Sequence, residues 1–329
     1  MAEPEQPQEP SPVTEYWGQL VQGLVGLVLL VGVVVMFHFY ATSSAAVSTP
    51  EDLATQVHQL THQVEQLQQQ QNMPALVLDR YRNSIGYIFG IYRVSFGNNP
   101  PVIRARVSGT GFIVSDGLLA TNRHVAEPWF GDTEAEDDIK RGATAALESL
   151  VVFFPGSPTP VTLSPAAVSS HGDLAVLRMT DPAAIAALPV LPLAKSASAP
   201  GELVTVVGYP MGIAGMVAKS PNGIFERMAY RHNDINAASE LAALSLIRPS
   251  ATWGHLGDVV GDKLIYDAPT AHGGSGGPVF NSKGEVIGVN SAYMDGFSGG
   301  TIGVSVSLLK PLVKSARQAV ADATSTATK

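Results

Sequence analysis

Three residues in this chain stand in settings that suit them to act together on a carbonyl group. His124 follows an apolar run in GTGFIVSDGLLATNRHVAEP (109–128). Asp173 opens the apolar run of HGDLAVLRM (171–179), and Ser275 lies among glycines in DAPTAHGGSGGPVFNSKGEVIGVNSAY (267–293). A serine hydroxyl is a weak nucleophile until a base takes its proton, and the base works best when a carboxylate fixes its orientation. His124 suits the base and Asp173 the carboxylate. The glycines supply a second element. Without Cβ atoms the run Gly273–Gly274–Ser275 can turn its amides inward, and those of Gly273 and Ser275 could hold a developing oxyanion. Each feature has a bland reading on its own: a histidine after a strand, an aspartate before one, a glycine turn. Their joint occurrence in one order points to acyl transfer.

Residue order separates the competing arrangements. GGSGG at 273–277 also fits the G-x-S-x-G nucleophile elbow, but that site needs a histidine after the serine, and the last histidine here is His272. An Asp173–His255–Ser275 order leaves only twenty residues between base and nucleophile, with no helix opening at the serine. The His–Asp–Ser order remains. Of the other histidines, His272 reads as a rim residue, His171 as part of a turn, and His58 and His62 as solvated side chains rather than metal ligands.

The elements that must position these groups read as β-strands. SIGYIFGIYRVSF, GTGFIVS, LESLVVFF, LAVLRM, LVTVVGYP, KLIYDA, GPVFN and EVIGVNSAY are short β-rich runs cut by Gly, Pro, Asn and Asp. No strand–helix alternation is present, which disfavours a doubly wound parallel sheet. Helical periodicity is confined to 233–247 and 308–320. An Ala/Pro-rich stretch at 183–200 divides the body into halves of about 100 residues.

Composition narrows the function classes. The 329 residues hold no cysteine, which excludes disulfides, Cys-ligated metal sites and a cysteine nucleophile. The net charge of −8 comes from residues 1–79, which carry eight acids and no Lys or Arg. The rest is formally neutral, without the basic footprint of a nucleic-acid binder. Charged residues make up only 15%, and the longest apolar stretch lies near the N-terminus. LVQGLVGLVLLVGVVVMF (20–37) with the following HFYA is long enough to cross a hydrocarbon core of about 30 Å. Its acidic start and length favour an uncleaved anchor over a signal peptide. Leu53, Val57, Leu60, Val64 and Leu67 then recur at spacings 4, 3, 4, 3, an a/d seam that predicts a short parallel coiled coil. Gln66–Gln71 and Asn72 read as a linker, and the GDTEAEDD segment within 127–147 as a solvated acidic loop.

The three motifs resemble those of the trypsin/chymotrypsin-like serine protease clan, and within it the bacterial HtrA (Deg-type) branch. TNRHV is similar to that branch's histidine motif, GDLAVLRM to its aspartate strand and DAPTAHGGSGGPVF to its serine loop. The resemblance spans about residues 84–318. It implies a mainly β fold, a double six-stranded antiparallel β-barrel with a closing C-terminal helix and a site in the cleft between barrels. It implies a serine endopeptidase that needs no cofactor or metal. It places Ser291 and Ala292 on the strand that pairs with the substrate backbone. Pro269 and Thr270 would line the specificity pocket, where the lack of an acid favours small or medium aliphatic side chains. HtrA proteases usually carry PDZ domains, and none is expected within this sequence.

The expected layout is a disordered tail (1–18), a transmembrane anchor (19–41), a hinge and coiled coil (42–79), a protease domain (80–320) and a tail (321–329). Within the protease domain, barrel 1 covers about 84–190, barrel 2 about 200–307 and the closing helix 308–320. The expected protein is a membrane-anchored serine endopeptidase on the extracytoplasmic side. Its partners would be a polypeptide substrate, the membrane and copies of itself (dimer or trimer), and no nucleic acid. The alternative is a catalytically silent protease fold that binds a peptide or partner.

Overall fold

A computed structural model of the chain describes residues 12–44, 50–180, 188–228, 235–293 and 300–327. The expected tail up to residue 11 and hinge residues 45–49 lie outside the described residues. The chain divides into two units, Met1–Leu67 and Gln68–Lys329.

The first unit is helical. Helix α1 (Pro12–Ser44) contains the apolar stretch Leu20–Tyr40, 21 residues with a mean hydropathy of 2.7 and none of it buried within the chain. At 1.5 Å per residue that stretch is about 30 Å long, the thickness of a bilayer core. Helix α2 (Pro50–Tyr81) begins in this unit with the a/d residues on one stripe. Leu53, Val57, Leu60, Val64 and Leu67 are all exposed there.

The end of α2 belongs to the second unit. Its sequence had read as a linker, yet the helix continues through the glutamines, which are good helix formers. Met73, Val77 and Tyr81, spaced four apart on one face, are buried against the body. Tyr81 stacks on Phe280 with ring centroids 5.8 Å apart. The folded body thus starts before residue 80.

Twelve strands follow among the described residues. The first six are β1 (Ile85–Ser95), β2 (Ile103–Ser115), β3 (Leu118–Thr121), β4 (Thr144–Phe153), β5 (Val161–Val168) and β6 (Ala175–Met179). They close into a barrel of order β1-β2-β3-β6-β5-β4. The second six are β7 (Leu203–Gly208), β8 (Ser250–Val260), β9 (Lys263–Tyr266), β10 (Pro278–Phe280), β11 (Val286–Tyr293) and β12 (Thr301–Ser305). They close as β10-β11-β12-β9-β8-β7, which is the same set of neighbours shifted by six strands. Every pairing within the barrels is antiparallel, and closure leaves no sheet edge unpaired. This is the double-barrel, chymotrypsin-like fold.

Each barrel has its own core, Ile88, Ile113, Leu119, Val152 and Leu177 in the first and Val204, Leu256, Leu264, Val279 and Ile287 in the second. A third cluster joins them, with Phe89, Phe112 and Phe153 of barrel 1 meeting Val207, Phe280 and Val289 of barrel 2. Burying each such aromatic ring is worth about 1.5–3 kcal/mol, so the barrels are held face to face by packing. Tyr209, just after β7, adds a fully buried hydrogen bond to Ile85 O at 2.9 Å.

Helices fill the connections. A one-turn α3 (Arg123–Ala126) follows β3, and α4 (Thr133–Lys140) lies where an acidic loop was expected. Asp132 caps α4 by accepting from Ala135 N at 3.0 Å, and its acids cluster near the N-terminus, where the helix dipole favours them. Helices α5 (Gly212–Ala218), α6 (Asn222–Met228) and α7 (Ile235–Ala243) occupy the long β7–β8 connection. Ile213, Met216, Leu241 and Ala242 of this insertion are buried in the interbarrel cluster. Helix α8 (Val306–Ala327) closes the body with Leu309, Val313 and Ala316 inward, and runs seven residues beyond its expected end.

Candidate active site

His124 sits on α3, the single turn that opens as soon as β3 ends, so its backbone is fixed by the barrel on one side and by the turn on the other. Its Nδ1 lies 2.8 Å from Asp173 Oδ2. Its own backbone N–H donates to Asp173 Oδ1 at 3.0 Å. Asp173 is thus gripped through both oxygens by one residue, which fixes the imidazole plane relative to the carboxylate. The buried Asn122 completes the clasp by donating from Nδ2 to Asp173 O at 2.8 Å. Nothing in the sequence reading had singled out Asn122.

A third hydrogen bond reaches the Asp173 carboxylate from barrel 2. The β11–β12 register shifts between Asn290 and Ala292, leaving Ser291 as the extra residue of a bulge. Freed from the ladder, Ser291 donates its hydroxyl to Asp173 Oδ2 at 2.6 Å. Burial disfavours the charged form of Asp173. The donors His124 and Ser291, and the His124 amide, outweigh it and hold the carboxyl below the usual aspartate range.

Ser275 stands on the loop between β9 and β10. Its Oγ donates to Ser291 O at 2.9 Å, and no hydrogen bond joins it to His124 among the described residues. The structure therefore brings Ser275, Ser291, Asp173 and His124 into one hydrogen-bonded chain of contacts.

The direction of the loop amides follows from where its carbonyls go. In a trans peptide the C=O and N–H point opposite ways. His272 O accepts from Met211 N at 2.6 Å, so the Gly273 N–H points away from Met211. Gly274 O accepts from Asn290 Nδ2 at 2.9 Å and from Gly277 N at 3.1 Å, which turns the Ser275 N–H outward from the loop. The peptide between them is pinned at both ends, Gly273 O by Thr110 Oγ1 at 2.7 Å and Gly274 N by Ala271 O at 2.9 Å. Neither the Gly273 nor the Ser275 amide donates to a protein group among the described residues. They are available to an anion, whereas Gly274, also expected there, spends its amide within the loop.

Thr110 is the second residue the sequence reading missed. From barrel 1 it donates its N–H to Ser275 O at 2.8 Å and its hydroxyl to Gly273 O, and it accepts from Tyr209 N at 3.1 Å. One buried threonine of β2 thereby ties the serine loop to the other barrel. Its only sequence signal was its place in the GTGF motif.

Glycine is required at two points of this loop. Gly273 has φ +88, and a Cβ there would sit 2.5 Å from Tyr209 O. Gly276 has the same φ, and its Cβ would strike Thr110 O and Thr121 Oγ1. Gly273→Ala should therefore misplace one amide donor. If the site works as an oxyanion hole, kcat for peptide cleavage should fall about 10²–10³-fold with little change in KM. Stopped-time assays on a defined peptide check this, and an unchanged kcat would remove Gly273 from the site.

The remaining expected residues have the following surroundings. Thr270 Oγ1 accepts from Asn290 Nδ2 at 3.1 Å, and Pro269 O accepts from Thr252 Oγ1 at 2.8 Å. Ala292 is exposed beside Ser291. A cleft of about 600 Å³ is lined by His124, Asp173, Ser291 and Ala292 together with Arg106, Val107, Phe130 and Asp132. His171 is exposed, in a turn. Among the described residues no cluster of His, Asp and Glu could hold a metal ion.

Comparison with known proteins bears on this geometry. The family model for the trypsin-like peptidase domain matches residues 109–289. The chain is 29% identical over 213 residues to a protein of Rhizobium meliloti named "Probable periplasmic serine endoprotease DegP-like", covering 64% of this chain and 33% of that one. It is 29% identical over 196 residues to "Serine protease HTRA1B" of Danio rerio, covering 57% of this chain and 30% of that one. The chain thus spans about a third of the length of these relatives. A serine endoprotease structure from Yersinia pestis aligns over 73% of this chain and 65% of its own, at 18% identity and a TM-score of 0.47. With the matched family model running over more than half of its length, this chain belongs to the trypsin-like peptidase domain family, and its relatives carry the names of DegP/HtrA serine proteases.

Proposed function

We propose that the protein is a membrane-anchored serine endopeptidase that cleaves polypeptides through His124, Asp173 and Ser275. One observation carries the reading: the His124–Asp173 pair at 2.8 Å stands beside a serine loop whose Gly273 and Ser275 amides are left free of protein partners. In the reaction Ser275 Oγ leaves its contact with Ser291 O, gives its proton to His124 and bonds to the substrate carbonyl carbon. The carbonyl oxygen becomes an oxyanion facing the two amides. His124, held by Asp173, passes the proton to the leaving amine, and water then hydrolyses the acyl-enzyme by the same route. Fluorophosphonate labelling of the full chain in detergent tests the reading. It should mark Ser275 and fail in Ser275→Ala.

The Ser275 hydroxyl's attachment to Ser291 O also favours a second reading, a silent protease fold that binds peptides without cleaving them. The same probe separates the two, since a silent fold would leave Ser275 unlabelled.

The exposed apolar length of α1 supports anchoring, and the periplasmic name of the Rhizobium relative supports an extracytoplasmic protease domain. Parallel self-association through 53–67 follows from the a/d stripe, whose five apolar residues are exposed. Leu60→Asp combined with Val64→Asp should reduce cross-linking between copies in membranes at least severalfold, because the seam would bury unpaired charge. Unaltered cross-linking would assign any assembly to the protease body instead.

A further inference from the structure

We propose that Arg106 selects substrates with an acidic residue at the second or third position after the cleaved bond. The inference rests on the Ser275 reading above and extends it to the leaving-group half of the substrate. Arg106 and Val107 of β2 line the same cleft as His124, Ser291 and Ala292. His124 protonates the leaving amine, so the chain beyond the scissile bond lies on the His124 side of the serine and continues toward β2.

Strand geometry sets the position. Thr110 on β2 bonds directly to Ser275 O, and Arg106 lies four residues back along the same strand. At about 3.3 Å per residue that separation is about 13 Å, or three to four residues of an extended substrate. The length of the arginine side chain brings the second and third of these residues within its reach.

The charge of Arg106 is not spent elsewhere. Arg104, its neighbour on the same face, pairs with Glu148 at 2.7 Å, and Arg123 pairs with Glu127 at 2.8 Å while lying over the Phe130 ring. Arg106 is exposed, and among the described residues it forms no ion pair. The acid lining the cleft besides Asp173 is Asp132, whose oxygens each accept a hydrogen bond from another donor. Oδ1 accepts from Ala135 N at 3.0 Å, and Oδ2 accepts from Tyr92 OH at 3.3 Å. A permanent cation with a planar fork of donors therefore lines the cleft and fits a carboxylate better than any other side chain.

The test begins with the wild-type chain and a proteome-derived peptide mixture, with cut sites read by mass spectrometry. Asp and Glu should be enriched two or three residues after the bond. Matched peptides carrying Glu, Gln or Lys at the enriched position should then differ in kcat/KM. Glu should exceed Gln by about three- to fivefold at low salt, the range of a partly exposed ion pair, with Lys the poorest. The Glu advantage should shrink toward one near 1 M salt, where the screening length is about 3 Å. Arg106→Gln should erase the ratio, and Arg106→Glu should turn it in favour of Lys. Equal rates for the three peptides in wild type, or a Glu preference that survives Arg106→Gln, would overturn the assignment. Cleavage that persists in Ser275→Ala would instead overturn the reading of the nucleophile on which it rests.

Discussion

Ser275→Ala should lower kcat for peptide cleavage by about 10⁴–10⁶-fold, and His124→Ala should cost a similar factor. The double variant should lose little more than either single one. The reason is that the two act as one unit. His124 can activate nothing without the hydroxyl, and the hydroxyl stays protonated without His124. The fold should survive both changes, because Ser275 contributes one hydroxyl contact to Ser291 O and His124 is partly exposed. The unfolding curve of Ser275→Ala should match wild type to within about 1 kcal/mol, the ordinary scale of one lost hydrogen bond, whereas His124→Ala should lose about 1.5–3 kcal/mol because the Asp173 carboxylate loses a charge-assisted partner. Multiplying losses in the double variant would show that the two side chains serve separate purposes.

Asp173→Asn should cost about 10⁴-fold in kcat. An amide can donate to His124 Nδ1, which would hold the imidazole in the wrong tautomer with its proton on the nitrogen that must receive the serine's. The variant also has a consequence for stability against acid. The folded pKa of Asp173 lies below its unfolded value, so its charge contributes stability that is fully present above the unfolded value, about 3.9. That contribution is lost as pH falls through the lower folded value. Wild type should therefore lose stability more steeply than Asp173→Asn below about pH 4. Denaturant titrations at successive pH values check the slope, and parallel curves would show that Asp173 is not held as an anion by its neighbours.

The parts of the site that the sequence displayed are those that chemistry restricts to one or two residue types. A nucleophile in a glycine run, a histidine at a strand end and an aspartate before an apolar strand each left a local signature. Short β-rich runs separated by turn residues pointed to a barrel or a sandwich, and the resemblance to the protease clan supplied the double barrel. The groups that aim the site were not legible. Asn122, Thr110 and Asn290 work through partners 16 to 163 residues away, and a polar residue inside a strand carries no mark of such a partner. Ser291 lies on β11, but its orientation comes from a bulge, and a bulge is a relation between two strands. The glutamines of 66–71 looked like a linker because their polarity masks the seating of Met73, Val77 and Tyr81, which lies just beyond them. The acidic run of α4 looked like a loop for a similar reason, since its helix is set by the Asp132 cap rather than by an apolar stripe.

The most direct measurement is the site and rate of fluorophosphonate attachment to the full-length chain in detergent, read by mass spectrometry of the digested protein. The account expects one adduct, on the peptide containing Ser275, absent from Ser275→Ala and at least a hundredfold slower in His124→Ala. No adduct on the native chain, or an adduct on another serine at the same rate in Ser275→Ala, would contradict it.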